Sequence, residues 1–187
     1  MIEFDTPRLR LRQWRDSDYA PFAAMNADPR VMEFFPGLLS SLESDALAAD
    51  IRARIARRGW GPWAVEIPGA APFIGFVGLN VPGYTIPASP CVEIAWRLAA
   101  EHWGKGYASE AAHAALRVAF EVLDLAEVVA FTAVGNLRSR AVMERLGMRN
   151  SEENFEHPNL EPGHALREHV LYRMSRERWL TLPSGQR

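Results

Sequence analysis

Apolar and polar residues alternate strictly through Arg8-Leu9-Arg10-Leu11-Arg12, the pattern of a strand with one apolar face. Asp16 or Ser17 can cap a helix running towards Met25, and Asp28-Pro29 can start a second that ends near Phe35-Pro36-Gly37. Ser41 to Arg58 holds helix formers without Gly or Pro and stops at Gly59. The period then shortens. Trp63-Ala64-Val65-Glu66-Ile67 and Phe73-Ile74-Gly75-Phe76-Val77-Gly78-Leu79 predict two strands joined as a hairpin by Pro68-Gly69-Ala70. Pro82 to Pro90 reads as a loop, and Cys91 to Leu98 as a third strand. From Ala108 to Leu123 the apolar positions Ala112, Leu116, Phe120 and Leu123 recur at helical spacing. A strand over Val128 to Val134 follows. Leu137 to Leu146 predicts a helix with Val142, Met143 and Leu146 inward and Gly147 as its stop. His169 to Met174 is a last strand, and Arg176 to Leu180 a short final turn.

This order predicts a mixed α/β sheet. Strand 92–98, helix 108–123 and strand 128–134 form a βαβ unit, so the two strands should run parallel. The length of 187 residues suits one domain, taken as residues 1–187. Neither an internal repeat nor a low-complexity tract interrupts it.

Bulk chemistry narrows the function classes. A formal net charge of -2 gives no reason to expect a nucleic-acid partner. The single cysteine, Cys91, leaves no internal disulfide framework and suits a reducing compartment. Met1 to Arg15 lacks the apolar run of a secretory leader. No window approaches the ~18 uninterrupted apolar residues of a membrane span. The expectation is a cytoplasmic protein without a membrane partner.

The most informative segment is Trp103-Gly104-Lys105-Gly106-Tyr107-Ala108, between a predicted strand and a long helix. Glycines there let the backbone approach a ligand, and free amides at a helix start favour a phosphate. Lys105 adds charge. A ligand-free turn would look the same. A dinucleotide loop needs a third glycine where Ser109 stands, with an acidic residue closing the next strand; Asp124 and Glu127 fall before it. A Walker loop needs a Gly-Lys-Ser/Thr ending that is absent.

The run Glu93-Ile94-Ala95-Trp96-Arg97-Leu98, followed by Trp103-Gly104-Lys105-Gly106-Tyr107-Ala108-Ser109-Glu110-Ala111, resembles the acyl-CoA signature of the GNAT superfamily of N-acetyltransferases. The likeness is to the branch of the RimJ and RimL ribosomal-protein N-acetyltransferases. Asn136-Leu137-Arg138-Ser139 with Met143-Glu144-Arg145-Leu146-Gly147-Met148 agrees, as does the opening Thr6-Pro7-Arg8-Leu9-Arg10-Leu11-Arg12. The resemblance implies a mostly antiparallel sheet flanked by helices, with splayed central parallel strands. It implies acetyl-CoA as acyl donor, no metal, an amine acceptor (a peptide N-terminus or small molecule), and the homodimer common among such proteins.

By the same resemblance, residues Trp103, Gly104, Lys105, Gly106, Tyr107 and Ala108 bind the CoA pyrophosphate through loop amides. Trp103 replaces the family's Gln or Arg. The pantetheine arm bonds along Trp96, Arg97 and Leu98, and Asn136 contacts it, although Asn136 is also a good helix cap. Lys105, Arg138 and Arg140 are candidates for the further phosphate. Glu93 is the candidate general base, against the plainer reading of an exposed strand glutamate. The tyrosine acid of many members is replaced by Met143, which leaves Ser139 to donate to the thiolate or merely to cap. His157, His164 and His169 are alternative bases near neutral pH. Cys91 reads as a buried thiol before it reads as a nucleophile. Trp14, Phe34, Phe35, Trp60 and Trp63 fall in the half that lines the acceptor cleft of similar proteins, where Glu33 and Glu66 could attract an amine. A non-catalytic acyl-CoA-binding module would keep the glycine loop without a base.

Overall fold

A computed structural model describes residues 1–183 of the chain. They pack as two compact units: Met1–Leu79 with Ala95–Ala112, and Asn80–Ile94 with the chain from His113 onward.

In the first unit, β1 (Phe4–Asp5) and β2 (Arg10–Arg12) pair antiparallel, with Phe4 opposite Leu11. The expected strand at Arg8 starts late because Thr6 closes a turn: its amide donates to Leu9 O at 2.8 Å, and its hydroxyl accepts from the Leu9 amide at 3.0 Å. A one-turn helix at Asp16–Asp18 leads into α1 (Tyr19–Asn26). The second expected helix, from Asp28-Pro29, does not form. Val31 and Met32 amides both return to Asp28 O at 3.0 Å, but the Asp28 carboxylate is spent on the Arg30 amide and guanidinium. Pro36-Gly37 follows before another turn can be added.

α2 (Ser41–Arg58) has the predicted bounds, with Ser40 and Glu43 in a reciprocal capping box and Gly59 left-handed at φ 82°. Its Ala48, Ile51 and Ile55 pack with Trp14, Phe22, Phe73 and Phe76 in one apolar cluster. β3 (Pro62–Ile67) and β4 (Ala71–Asn80) make the expected hairpin, and β3 pairs with β2. Leu11 is fully enclosed by this sheet, and so is its neighbour Arg12. Arg12 is satisfied there by Asp18 and Glu66, both at 2.7 Å. β5 (Glu93–Leu98) carries the chain from one unit into the other. α3 (Tyr107–Arg117) continues as a wider turn over Val118–Val122, in which the Leu123 amide reaches Val118 O.

In the second unit, β6 (Glu127–Ala133) pairs parallel with the start of β5, Glu93 opposite Val129, as the βαβ reading requires. α4 (Leu137–Arg145) and the two-residue strands β7 (Arg149–Asn150) and β8 (Phe155–Glu156) follow. β9 (Glu168–Ser175) pairs antiparallel with β6, β7 and β8, and α5 (Arg176–Thr181) ends the described fold. The pairings are mixed and mostly antiparallel, with helices against them, as expected.

One glycine fixes how closely β4 passes β5. Gly75 has φ 135°, and a Cβ there would lie 2.1 Å from Arg97 O and 2.8 Å from Leu98 Cα. No side chain fits. Gly75→Ala should therefore lower unfolding free energy by at least ~2 kcal/mol, measured by urea denaturation. An unchanged midpoint would mean that β5 is not held at this distance.

Candidate functional site

The glycine loop belongs to the first unit. Gly104 and Gly106 take φ of 73° and 81°, conformations in which a β-carbon is strained. The amides of Gly104, Lys105, Gly106, Tyr107 and Ala108 have no protein partner among the described residues. The first bond of α3 is the Glu110 amide to Gly106 O, at 3.0 Å. Gly104, Lys105 and Gly106 are exposed. Five unspent N–H groups, at the positive end of an eleven-residue helix, form a ready anion cradle.

The N-terminal segment holds this loop. Glu110 accepts from the Thr6 hydroxyl at 2.6 Å, the Arg8 amide at 2.9 Å and Arg8 Nε at 2.6 Å. Arg8 Nη1 donates to Lys105 O at 2.9 Å, and its guanidinium lies 4.7 Å from the centre of the Tyr107 ring. Burial pushes the Glu110 carboxyl up, but the hydrogen bonds from Thr6 and Arg8 outweigh it and leave it below the usual carboxylate value. Nothing local in the sequence pairs positions 102 residues apart, so this clamp was invisible there. The Trp103 indole anchors the loop's entry: its Nε1 donates to Leu98 O at 2.8 Å.

On β5, Trp96 is half-buried and Leu98 buried. The Arg97 guanidinium turns into the first unit, donating to Asn26 Oδ1 at 2.7 Å. Among the acceptor-side candidates there, Trp14 and Trp63 are core, Phe35 is half-buried under Arg97, and Glu66 is spent on Arg12 and Arg15.

In the second unit, Glu93 is half-buried at the start of β5 and accepts from Asn80 Nδ2 at 2.7 Å. Asn136 caps α4: its Oδ1 accepts from the Ser139 amide at 3.2 Å, while its Nδ2 donates to Thr132 Oγ1 at 3.0 Å. Its side chain is thus engaged at both ends. The Ser139 hydroxyl makes no hydrogen bond among the described residues. Arg138 is exposed, and Arg140 donates to Val134 O at 3.1 Å.

His157 and His169 face one another at 4.8 Å between ring centres, with Phe131, Phe155 and Tyr84 around them. Burial pushes both imidazoles below their ordinary value, and each is held neutral rather than poised as a charged pair. His164 is exposed. The Cys91 thiol is raised, first by burial and then by Glu93, which argues against a thiolate nucleophile. No group of three or more His, Cys, Asp or Glu with metal-binding geometry occurs among the described residues. No helix among them is long and apolar enough to cross a membrane.

Residues 8–149 match the family model described as Acetyltransferase (GNAT) domain. The chain is 32% identical to the uncharacterized protein YkkB of Bacillus subtilis, over 79% of this chain and 85% of that protein. It is also 32% identical to the FsC-acetyl coenzyme A-N(2)-transacetylase of Aspergillus fumigatus, over 64% of this chain. The match spans just over half, 56%, of that relative's length. Among solved structures, Mycobacterium smegmatis RimJ in complex with CoA-disulfide shares the fold at a TM-score of 0.72 and 23% identity. That match covers 95% of this chain and 86% of RimJ.

Two outcomes follow from this geometry. Glu110→Ala should release the clamp, and backbone order parameters at Gly104–Ala108 should fall from about 0.85 towards 0.6, read by 15N relaxation. The histidine pair should make stability pH-dependent. Because both folded-state values lie below the unfolded one, the folded chain binds fewer protons; stability is complete above the unfolded value of about 6.5 and is lost as pH falls through it. Thermal midpoints from pH 7.5 to 5 should drop less in His169→Phe than in the parent.

Proposed function

Because this chain belongs to the GNAT acetyltransferase family, we propose that it transfers an acetyl group from acetyl-CoA to a primary amine, by direct attack in a ternary complex. The observation that carries this reading is the row of unspent amides at Gly104–Ala108. That arrangement suits a diphosphate, and its charge is carried by backbone dipoles rather than by a ring of lysines. The name of the Aspergillus relative, with acetyl coenzyme A and an N(2) position in it, supports a nitrogen acceptor.

In this reading residues 1–187 form one acetyltransferase domain. The loop from Trp103 to Ala108 grips the pyrophosphate, with Lys105 and Arg138 beside the phosphates. The edge of β5 at Trp96, Arg97 and Leu98 offers main-chain groups to the pantetheine arm, and Asn136 contacts the same arm. Glu93 takes the proton of the attacking ammonium, directly or through water, while Asn80 fixes the carboxylate's orientation. The nitrogen lone pair then forms the C–N bond, the C–S bond breaks, and the nitrogen's second proton leaves to water, which restores the proton that Ser139 passes on. The Ser139 hydroxyl, unspent in the fold, donates to the departing thiolate. A serine is a weak acid, so Ser139→Ala should slow turnover only modestly. A cytoplasmic site of action fits the same reading.

Two variants test it. Gly106→Val places a β-branched residue at φ 81° with its Cβ 3.4 Å from Arg8 Nη2. It should weaken CoA binding at least about a hundred-fold by calorimetry, a loss of ~2.7 kcal/mol, while the far-UV spectrum is kept. Unchanged affinity would remove the loop assignment. Glu93→Gln should lower kcat about a hundred-fold near neutral pH in a thiol-release assay, with little change in CoA affinity. An unaltered pH–rate profile would move the base elsewhere. CoA binding without turnover on any amine would favour a non-catalytic acyl-CoA module.

A further inference from the structure

Two arginines of the first unit are withdrawn from water, and they are treated differently. Arg12 meets Asp18 through both terminal nitrogens, at 2.7 and 3.0 Å, and Glu66 through Nε at 2.7 Å. Arg97 meets no carboxylate among the described residues. Its Nη1 donates to Asn26 Oδ1 at 2.7 Å, and Asn26 Nδ2 donates in turn to Ser44 Oγ at 2.9 Å. Asn26 and Ser44 are both fully buried, so this chain from α2 through α1 to β5 holds the guanidinium in one place. The Phe35 ring lies 4.0 Å from the guanidinium carbon and the Phe76 ring 5.6 Å away.

The rest of the head is unsatisfied. Arg97 Nε is buried without a hydrogen-bond partner, and Nη2 also has none but is not enclosed. Desolvation pulls Arg97 down to about 10, whereas at Arg12 desolvation is outweighed by Asp18 and Glu66, which together leave that group above its ordinary value. A cation in such surroundings destabilises the fold unless something of opposite charge joins it. Nε and Nη2 are the two parallel donors of the guanidinium's side edge, and that edge matches the two oxygens of a carboxylate. Partly exposed Phe35, between α1 and α2, sets its ring against the guanidinium carbon.

We infer that the amine acceptor carries a carboxylate, and that the free Nε–Nη2 edge of Arg97, braced by Asn26 and Ser44, is the group that receives it. This rests on the acetyl-transfer reading and adds an acceptor class to it. Phe35 and Phe76 supply apolar walls beside the charge, which favours an acceptor of amino-acid type over a polyamine.

The test compares free amino acids and short peptides with their C-terminal amides, by thiol release at saturating acetyl-CoA. The parent enzyme should show kcat/KM at least about ten-fold higher for the acids, expressed in KM. Arg97→Met should erase that preference, and Asn26→Ala should reduce it. Arg97→Met should also hold or raise the thermal midpoint, since it removes an uncompensated buried charge. Equal kcat/KM for acids and amides would overturn the inference and leave acetyl transfer standing. A lower midpoint in Arg97→Met with the preference intact would assign the residue to the fold instead. Inorganic phosphate competing better than acetate against the acids would replace carboxylate by phosphate and also overturn it. Calorimetry with CoA separates the two readings: no CoA binding, or binding without turnover of either series, removes the acetyl-transfer reading and this one with it.

Discussion

Five backbone N–H groups that the fold declines to use are the constraint on which the rest depends. A helix start always leaves donors unpaired, and most proteins satisfy them with a capping side chain. At α4 and α5 this chain does so, through Asn136 and Ser175. At α3 it does not. Gly104 and Gly106 take positive φ, and the Thr6–Arg8–Glu110 clamp holds the loop without touching its donors. The clamp acts on carbonyl and side-chain groups, so the donors stay available. The proposed acetyl-CoA donor carries a diphosphate, the anion for which such a cradle is suited.

The same contrast between spent and unspent groups runs through the other polar residues. Arg12, Asp18 and Glu66 close on one another and support the sheet. Trp103 and Asn136, which resemblance assigns to ligand contacts, are also engaged within the fold. Their ligand roles would rest on backbone groups or on exchange of partners. Ser139 Oγ and the Nε–Nη2 edge of Arg97 are not engaged among the described residues. A polar group kept unsatisfied at a cost to stability is a better pointer to chemistry than one that merely has the right residue type.

Legibility in the sequence tracked the range of the interaction. α2 was readable to the residue because its signals lie within the helix or next to it, ending at Gly59. The β3–β4 hairpin, the parallel relation of β5 and β6, and the glycine loop were readable for the same reason. The two-residue strands β1, β7 and β8 are too short to show a period. The failed helix after Asp28 had a valid start signal but a side chain committed to Arg30. The wider turn at Val118–Val122 keeps an apolar pattern that an α-helix would also show. Arg8 with Glu110, Arg97 with Asn26, and Gly75 against Arg97 O join distant positions, and pattern carries no trace of them.

The most direct measurement is the amide spectrum of 15N-labelled protein during titration with CoA. On the cradle assignment, Gly104, Lys105, Gly106, Tyr107 and Ala108 move first and furthest, downfield, as hydrogen bonds to phosphate oxygens form. Resonances of those five residues that stay in place while CoA binds elsewhere would contradict it.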